Sequence, residues 1–400
     1  MLFRRTDSLR RQIARRVPYA NRVKNPPKIL FVNPAGNTYG SERSMLALLA
    51  KAKGIKAEAV CPAHSLLSTI LIGQGIRTYG LEFNKHTFFK RPDWHLRFFL
   101  RFRRILAESR PDVVVVNLDG NTPLVTFAAI RAGIPIVRFS RLEFTPPHRW
   151  IDRYCWLNVA AVVCPSELVR QQVIKWVPIY FRERVHRWYD PLAISAVSET
   201  ETRKLKSELG LNFARVIGFV GRLHFRKGIE TAFRALAEIR KQVPGVRLLI
   251  VGSHDGSPAG IEYARKLEAL TRELGVQDAV QFLGFRDDVS AVMSVCDVCV
   301  LPSESESFGM VLTEAWAMGV PTVASDVGGC REITLASGGG RLSPVGNSDV
   351  LAHEVLGILL NREQARQMGT SGRTWVRENC DPVRYADRFQ DLMEQLRLIR

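Results

Sequence analysis

Short runs of apolar, mostly β-branched residues alternate with helical patterns along this chain of 400 residues. The runs are apolar throughout instead of alternating with polar residues, which is typical of parallel strands buried on both faces. This alternation of strands and helices predicts an α/β protein with parallel sheets. The predicted strands are Lys28–Asn33, Ala57–Cys61, Val113–Asn117, Pro135–Phe139, Ala160–Cys164, Val216–Val220, Arg247–Val251, Val280–Phe282, Val298–Leu301 and Thr322–Ser325.

The strand–helix pattern breaks near Asp190–Thr202 and then restarts. An apolar content of 46% in 400 residues is enough for two hydrophobic cores. We therefore expect two Rossmann-like domains, over residues 25–195 and 196–381, preceded by a basic arm over residues 1–24. Residues 382–400 have an amphipathic pattern, and we expect a helix there that returns to the first domain.

The formal net charge of +18 lies entirely in the first half of the chain. Residues 1–200 contain 32 lysines and arginines against 14 acidic residues, whereas residues 201–400 contain 25 of each. Arginines are concentrated in residues 1–24 and in residues 88–106, where they are interleaved with aromatic residues. This pattern predicts an anionic partner, such as a membrane surface or an anionic acceptor. The alternative for residues 88–106 is an ordinary helix that buries its phenylalanines in the core.

Nucleic acid is not an expected partner, because the sequence has no helix-turn-helix, zinc-finger or RNA-binding motif. Seven cysteines are scattered along the chain, and an odd number argues against a disulfide framework. Cys296 and Cys299 have CxxC spacing without a second pair at zinc spacing, so we interpret them as buried structural thiols. No apolar run approaches the ~18–20 residues of a membrane span, and no secretory signal is evident. We therefore expect a cytoplasmic protein.

Two carboxylates, Glu306 and Glu314, flank a small-aromatic-glycine turn after the predicted strand Val298–Leu301. Ligands of open α/β sheets bind at the carboxyl ends of the strands, and helix N-termini favour anions. Acceptor-only side chains beside such amides suit a ligand that combines hydroxyls with phosphates, and a sugar nucleotide is such a ligand. The alternative is that a glutamate here only caps or solvates the helix, which is our interpretation of Glu304.

A second loop, Gly221–Gly228, follows the predicted strand Val216–Val220 and opens a helix. Its glycines permit a tight turn, and Arg222 and Lys227 place two cations at a helix N-terminus, which suits a diphosphate. The loop lacks the order of a P-loop. The alternative is that both cations are solvated surface residues.

Together, Val-Gly-Arg-Leu…Lys-Gly, Val-Gln-Phe-Leu-Gly and Pro-Ser…Glu-Ser-Phe-Gly…Glu-Ala…Gly-Val-Pro-Thr-Val, within residues 216–333, resemble the retaining glycosyltransferases of family 4. In the first half, Gly40-Ser41-Glu42-Arg43 is similar to the family's loop after the first strand. The resemblance implies the GT-B fold, in which two Rossmann-like domains face a central cleft. It places the acceptor on the first domain and the nucleotide-sugar on the second.

The resemblance implies a retaining, metal-independent transfer of a hexose-type sugar, without a cofactor, from a UDP- or GDP-linked donor. The acceptor would be a glycan or lipid-linked molecule of polysaccharide or glycolipid biosynthesis. The enzyme would then act in the cytoplasm, including the inner face of the cell membrane.

The resemblance also implies roles for individual residues. Arg222 and Lys227 would hold the donor diphosphate and stabilise charge on the leaving group. Glu306 would contact hydroxyls of the transferred sugar, and these three residues are the catalytic candidates. The remaining donor-binding candidates are Gly40, which would let its loop approach the phosphates, Phe308 and Gly309, which would supply backbone groups, and Glu314, which would hold the ribose hydroxyls.

The chain departs from the family pattern after the strand Val113–Asn117. Asn117 stands where the family often has a histidine, and Ser140-Arg141 occupies the region of a common His-Asp pair. Asn117 cannot act as a general base. Either the donor phosphate takes the acceptor proton, which we favour, or a protein base does, for which the candidates are Asp119, Glu143 and His148.

Two other functions remain open from the sequence. One is a GT-B sugar-nucleotide epimerase, which would process the same ligand without an acceptor. The other is a non-catalytic protein that binds a sugar nucleotide or a glycan, and it would release no nucleoside diphosphate.

Overall fold

The computed structural model describes residues 26–83, 92–117, 122–141, 150–212 and 214–398. Two parallel sheets organise these residues, which confirms the expected α/β class with two Rossmann-like domains. The strands of the first sheet are β1 (Lys28–Val32), β2 (Lys56–Cys61), β3 (Arg77–Gly80), β4 (Val113–Val116), β5 (Ile136–Phe139), β6 (Ala161–Cys164) and β7 (Val185–Arg187).

The second sheet is built in the same way from the second half of the chain. Its strands are β8 (Val216–Val220), β9 (Arg247–Val251), β10 (Val280–Gly284), β11 (Val298–Leu301), β12 (Thr322–Ser325) and β13 (Gly340–Ser343).

Helices cover both faces of each sheet, as buried parallel strands require. In the first half they are Gly40–Lys51, Leu66–Gly73, Pro92–Ser109, Thr122–Arg131, Trp150–Leu157 and Glu167–Trp176. In the second half they are Glu199–Glu208, Ile229–Arg240, Pro258–Glu273, Val289–Ser294, Met310–Ala317, Gly328–Ser337, Ser348–Leu360, Arg362–Asn379 and Pro382–Arg397. Short 3-10 turns occupy Ile179–Arg184 and Phe225–Lys227.

The strand order creates one switch point in each sheet. The first sheet runs β3-β2-β1-β4-β5-β6-β7 and the second β10-β9-β8-β11-β12-β13. Chain direction across the sheet therefore reverses between β1 and β4, and again between β8 and β11. Ligand crevices of open α/β sheets form at such points, outside the carboxyl ends of the strands.

Alternate residues of a strand serve the two faces of a sheet. In β1, Leu30 and Val32 join the core on one face, and Ile29 and Phe31 join the core on the other. The C-terminal helix Pro382–Arg397 belongs to this second core, where Phe389 stacks on Phe31 with ring centroids 5.7 Å apart. The last helix of the chain thus packs on the first sheet, after the chain has completed the second.

The ten predicted strands are all present, with differences of one or two residues at several ends. Three short strands were missed, β3, β7 and β13, and each lies at the edge of its sheet. The helix after β11 begins at Met310, because Gly309 has a left-handed backbone (φ 98°) that does not continue a helix. The basic arm, 1–24, lies outside the described residues.

Candidate functional site

The loops after β8 and β11 bring Lys227 and Glu306 together. Lys227 Nζ lies 2.5 Å from Glu306 Oε1, and the Ser303 hydroxyl donates to the same oxygen at 2.9 Å. The side chains remain partly accessible, at 25% for Lys227 and 16% for Glu306. A cation and a carboxylate thus face the switch-point crevice in a fixed geometry.

A glycine makes this approach of the two loops possible. Gly228 follows the 3-10 turn Phe225–Lys227 with a left-handed backbone (φ 64°). A Cβ atom there would lie 2.0 Å from the carbonyl oxygen of Pro302, so a side chain cannot be accommodated. The backbone N–H of Glu304 also donates to the carbonyl of Arg226 at 2.9 Å. Residues 226–228 are therefore held against the β11 loop.

Phe308 and Gly309 form the turn before the helix Met310–Ala317. Phe308 is buried, and its ring stacks on Tyr189 with centroids 5.8 Å apart, so its side chain is committed to the core. Gly309 is the residue before the helix, and a Cβ atom there would lie 3.0 Å from the sulfur of Cys330. Any ligand contact from Phe308 would therefore come from its backbone.

Glu314 projects from the second turn of this helix and pairs with the first domain. It is buried, and Arg43 Nη1 lies 2.7 Å from its Oε1. Burial raises the pKa of Glu314, and the Arg43 guanidinium partly opposes that rise. Arg43 lies one residue beyond Glu42 in the helix Gly40–Lys51, which follows β1.

The first-domain loop at Tyr39 and Gly40 also contacts the second domain near Arg222. The guanidinium carbon of Arg222 lies 4.9 Å from the centre of the Tyr39 ring. A Cβ atom on Gly40 would lie 3.3 Å from Cγ of Met310, so the loop and the second domain are in close contact. Glu42 fixes the loop, because its carboxylate accepts from the backbone N–H of Tyr39 at 3.0 Å.

A cavity of about 360 Å³ opens beside Arg222. The β8 loop and the start of the helix Pro258–Glu273 form its walls, with aromatic, cationic and acidic side chains. Its lining residues are Arg222, Leu223, His224, Phe225, Asp255, Ser257, Ala259, Gly260, Glu262, Tyr263 and Lys266. Burial and three neighbouring cations lower the pKa of His224 below its usual value.

Asn117 lies in a buried polar network at the end of β4. Its amide donates to the Asn33 side chain at 2.9 Å, and its oxygen accepts from Nε of Arg141 at 3.2 Å. Arg141 pairs in turn with Asp190, which also accepts from the Ser44 hydroxyl at 3.0 Å. Burial alone would lower the pKa of Arg141, but Asp190 and other neighbouring groups together outweigh it, and the pKa is raised.

The alternative bases Asp119, Glu143 and His148 lie outside the described residues. Within the described residues, no group of three histidines, cysteines or carboxylates could hold a metal ion. All seven cysteines are free and buried, which confirms the interpretation of Cys296 and Cys299 as buried thiols.

The described part of the basic segment 88–106 has both buried and exposed apolar side chains. Phe98 and Phe102 are buried in the first-domain core, as the ordinary-helix alternative expects. Leu96 and Leu100 are exposed on the same helix, at 59% and 45%. No described helix is both long and apolar enough to cross a membrane.

Sequence reasoning gave no role to several residues that contact the candidate site. Arg43 and Tyr39 reach it from the first domain, and Ser303 and Ser307 come from the β11 loop. The Ser307 hydroxyl donates to the carbonyl of Arg141 at 2.5 Å and so ties the two domains together. Arg43 was visible in the family-like loop, but nothing in the local sequence indicated a carboxylate partner in the other half of the chain.

Family comparisons cover both halves of the chain. Residues 202–375 match the family described as glycosyl transferases group 1, and residues 41–188 match a glycosyl transferase 4-like domain. A GDP-mannose-dependent alpha-(1-6)-phosphatidylinositol monomannoside mannosyltransferase of Mycobacterium tuberculosis is 35% identical over 300 residues. That match covers 69% of this chain and 74% of the relative.

Other matches are shorter or more distant in sequence. A D-inositol 3-phosphate glycosyltransferase of Corynebacterium urealyticum is 37% identical over 174 residues, which are 42% of this chain and 40% of that relative. Two other curated relatives are covered over 34% and 48% of their length. The crystal structure of Anabaena HepE in complex with UDP and glucose has a TM-score of 0.80 at 24% identity, covering 92% of this chain and 99% of that one. This likeness confirms the GT-B architecture expected from the sequence.

Proposed function

The chain belongs to the family-4 type of GT-B glycosyltransferases, the glycosyl transferases group 1, and we propose that it is a retaining, metal-independent hexosyltransferase. It would use a UDP- or GDP-linked sugar and a glycan or lipid-linked acceptor. The observation that carries this proposal is the pairing of Lys227 with Glu306 at the switch point of the second sheet. That pair supplies a cation for the leaving group beside a carboxylate for sugar hydroxyls.

Charge on the leaving group is the main electrostatic demand of this reaction. The bond from the anomeric carbon to the diphosphate oxygen breaks, and a bond to the acceptor oxygen forms on the same face of the sugar. Negative charge develops on the departing diphosphate, and preorganised cations stabilise it. We assign this role to Arg222 and Lys227. Glu306, held by Lys227 and Ser303, would orient the sugar through its hydroxyls.

The acceptor proton would pass to an oxygen of the departing phosphate. Asn117 has no basic atom, and its amide is engaged by Asn33 and Arg141. Arg141 is itself paired with Asp190. Asn117 and Arg141 are therefore both committed to a buried network, which supports a substrate-assisted reaction over a base at Asn117.

We place the acceptor on the basic first domain. The +18 charge of residues 1–200 favours an anionic acceptor or an anionic membrane that presents it. One relative is named for its action on phosphatidylinositol monomannoside, a lipid-linked acceptor. We therefore propose a cytoplasmic enzyme of glycolipid or polysaccharide biosynthesis that associates peripherally with the inner face of the cell membrane.

A panel of nucleotide-sugars tests the donor assignment. A ligand that binds only the folded protein raises stability by RT ln(1 + [L]/Kd), so the true donor should raise the melting temperature most. The control is Lys227→Ala, which should reduce this rise. A panel of UDP- and GDP-sugars that gives no stabilisation of the wild-type protein would contradict the proposal.

A further inference from the structure

Arg43 and Glu314 form an ion pair between the two domains. Arg43 belongs to the helix that follows β1, and Glu314 to the helix that follows β11. Their closest atoms, Nη1 and Oε1, are 2.7 Å apart. The two side chains differ in accessibility, because Glu314 is 7% exposed and Arg43 is 39% exposed. The carboxylate is thus fixed in the second domain, whereas the guanidinium reaches it from the cleft.

The ion pair stabilises the charged form of the buried Glu314 carboxylate. A buried carboxylate is unfavourable unless it has a partner, and burial raises its pKa while Arg43 opposes the rise. Arg43 is the one charged partner of Glu314 among the ion pairs of the described residues. Anything that takes Arg43 away must therefore offer Glu314 other hydrogen-bond donors.

The hydroxyls of a ribose are such donors. Under the proposed function, ribose binds Glu314, so it competes with Arg43 for the same carboxylate. The guanidinium released in this way stays in the cleft, since its helix begins next to Tyr39, whose ring contacts Arg222. Arg222 is a proposed diphosphate ligand, so the freed Arg43 would lie on the diphosphate side of the same crevice.

We propose that Arg43 is a donor-binding residue that exchanges partners, pairing with Glu314 until ribose hydroxyls take the carboxylate and then binding the diphosphate. This inference rests on the proposed function. The donor site is consequently shared by both domains, and the nucleoside and diphosphate parts of one ligand cooperate. A nucleoside alone must break the ion pair without offering Arg43 a new anion.

Calorimetric titration of four ligands tests the exchange: uridine, guanosine, UDP and GDP. Wild type is compared with Arg43→Ala, with the neutral Arg43→Gln and with Arg43→Lys. The control is Arg77→Ala, which removes an exposed first-domain arginine paired with Glu108. Thermal unfolding identifies any variant that has lost its fold.

The advantage of a nucleoside diphosphate is the ratio of its affinity to that of its nucleoside. For the nucleoside diphosphate that binds, we expect this advantage to fall by about 10-fold or more in Arg43→Ala and Arg43→Gln, since hydrogen bonds to charged groups contribute about 1.5–3 kcal/mol. Affinity for the nucleoside itself should stay constant or rise, because its competitor is gone. Arg43→Lys should keep part of the advantage as a point charge.

Equal losses for nucleoside and nucleoside diphosphate would overturn the inference, because Arg43 would then only organise Glu314. An unchanged advantage in folded Arg43→Ala and Arg43→Gln would overturn it as well. In both cases the proposed donor site stands. Failure of the wild-type protein to bind UDP or GDP would instead overturn the proposed function, and the inference with it.

Discussion

The two domains place charged and polar side chains at the cleft in different ways. In the second domain, Lys227 and Glu306 form a pair that remains partly accessible, at 25% and 16%. In the first domain, Arg141 and Asp190 also form a pair, but both side chains are almost fully buried, at 4% and 7%. The first pair can exchange its partner for a ligand, whereas the second is enclosed by Asn117, Ser44 and the protein core.

This difference separates two kinds of role that the sequence cannot tell apart. Charges that face the cleft are available to bind and stabilise a leaving group, and their removal should affect turnover. Charges that satisfy one another inside a domain hold its shape, and their removal should affect stability. The comparison therefore predicts opposite consequences for substitutions that look alike in the sequence.

The largest effect is expected from Asp190→Asn. Breaking a buried ion pair leaves Arg141 without its counter-charge, which should lower the free energy of unfolding by about 3–5 kcal/mol. Urea denaturation measures this loss. Arg141→Met combined with Asp190→Leu removes both charges and should recover much of it. Glu199→Gln, which breaks an exposed helix pair with Arg203, is the control and should leave stability unchanged. If the urea midpoint of Asp190→Asn equalled that of the wild-type protein, the assignment of this pair to the core would be contradicted.

Lys227→Ala should have the opposite consequence to Asp190→Asn, because it should lower turnover and leave stability nearly unchanged. Loss of one preorganised group that stabilises developing charge lowers turnover by about 10²–10³-fold. Stability should change little, because the Lys227 side chain is partly solvated. Initial rates of nucleoside diphosphate release measure the effect, with Lys241→Ala, which removes an exposed lysine, as the control. Near-normal turnover would remove Lys227 from the reaction.

Glu314 gives a prediction about pH. Burial raises its pKa, so on acidification Glu314 takes up a proton at a higher pH than an ordinary carboxylate does. The neutral form is a weaker acceptor for ribose hydroxyls, so nucleotide affinity should fall as the pH falls through this raised pKa. Glu314→Gln should bind about 10-fold or more weakly at neutral pH, with a flat pH dependence. A wild-type affinity that is constant down to the normal carboxylate range would contradict the role of Glu314.

The smallest effect is expected from Asn117→Ala. The substitution removes hydrogen bonds worth about 1 kcal/mol each, so transfer should change by less than about 10-fold and its pH profile should stay the same. Residues that transfer a proton in the transition state contribute about 10²–10⁴-fold. A loss of that size would show that Asn117 takes part in the chemistry, and would end the distinction between the two regions.

Most of the fold follows from local patterns in the sequence. β8, β9, β11 and β12 have the predicted bounds, because each is a short apolar run that a buried parallel strand requires. The edge strands β3 and β13 were missed, since Arg77–Gly80 and Gly340–Ser343 carry polar residues and glycine and have a neighbour on one side only. Their pairing depends on the sheet and not on their own composition.

The candidate site was predicted where its residues are close in the sequence or fall in a recognisable motif. Glu306 and Lys227 were singled out in this way, and the structure places them together. The partner of Glu314 could not be predicted, because Arg43 comes from a helix in the other domain. The same holds for Asn117, whose network depends on Asp190 at the break between the two strand–helix series.

The central claim, a retaining transfer of sugar from a nucleotide donor, is tested most directly by the anomeric configuration of the product. The protein is incubated with the nucleotide-sugar that stabilises it and with a candidate acceptor, and NMR follows the anomeric proton from donor to first-formed product, with Lys227→Ala as the background. The account predicts release of nucleoside diphosphate and a product with the anomeric configuration of the donor. An inverted product, or isomerised donor formed without any acceptor, would contradict it.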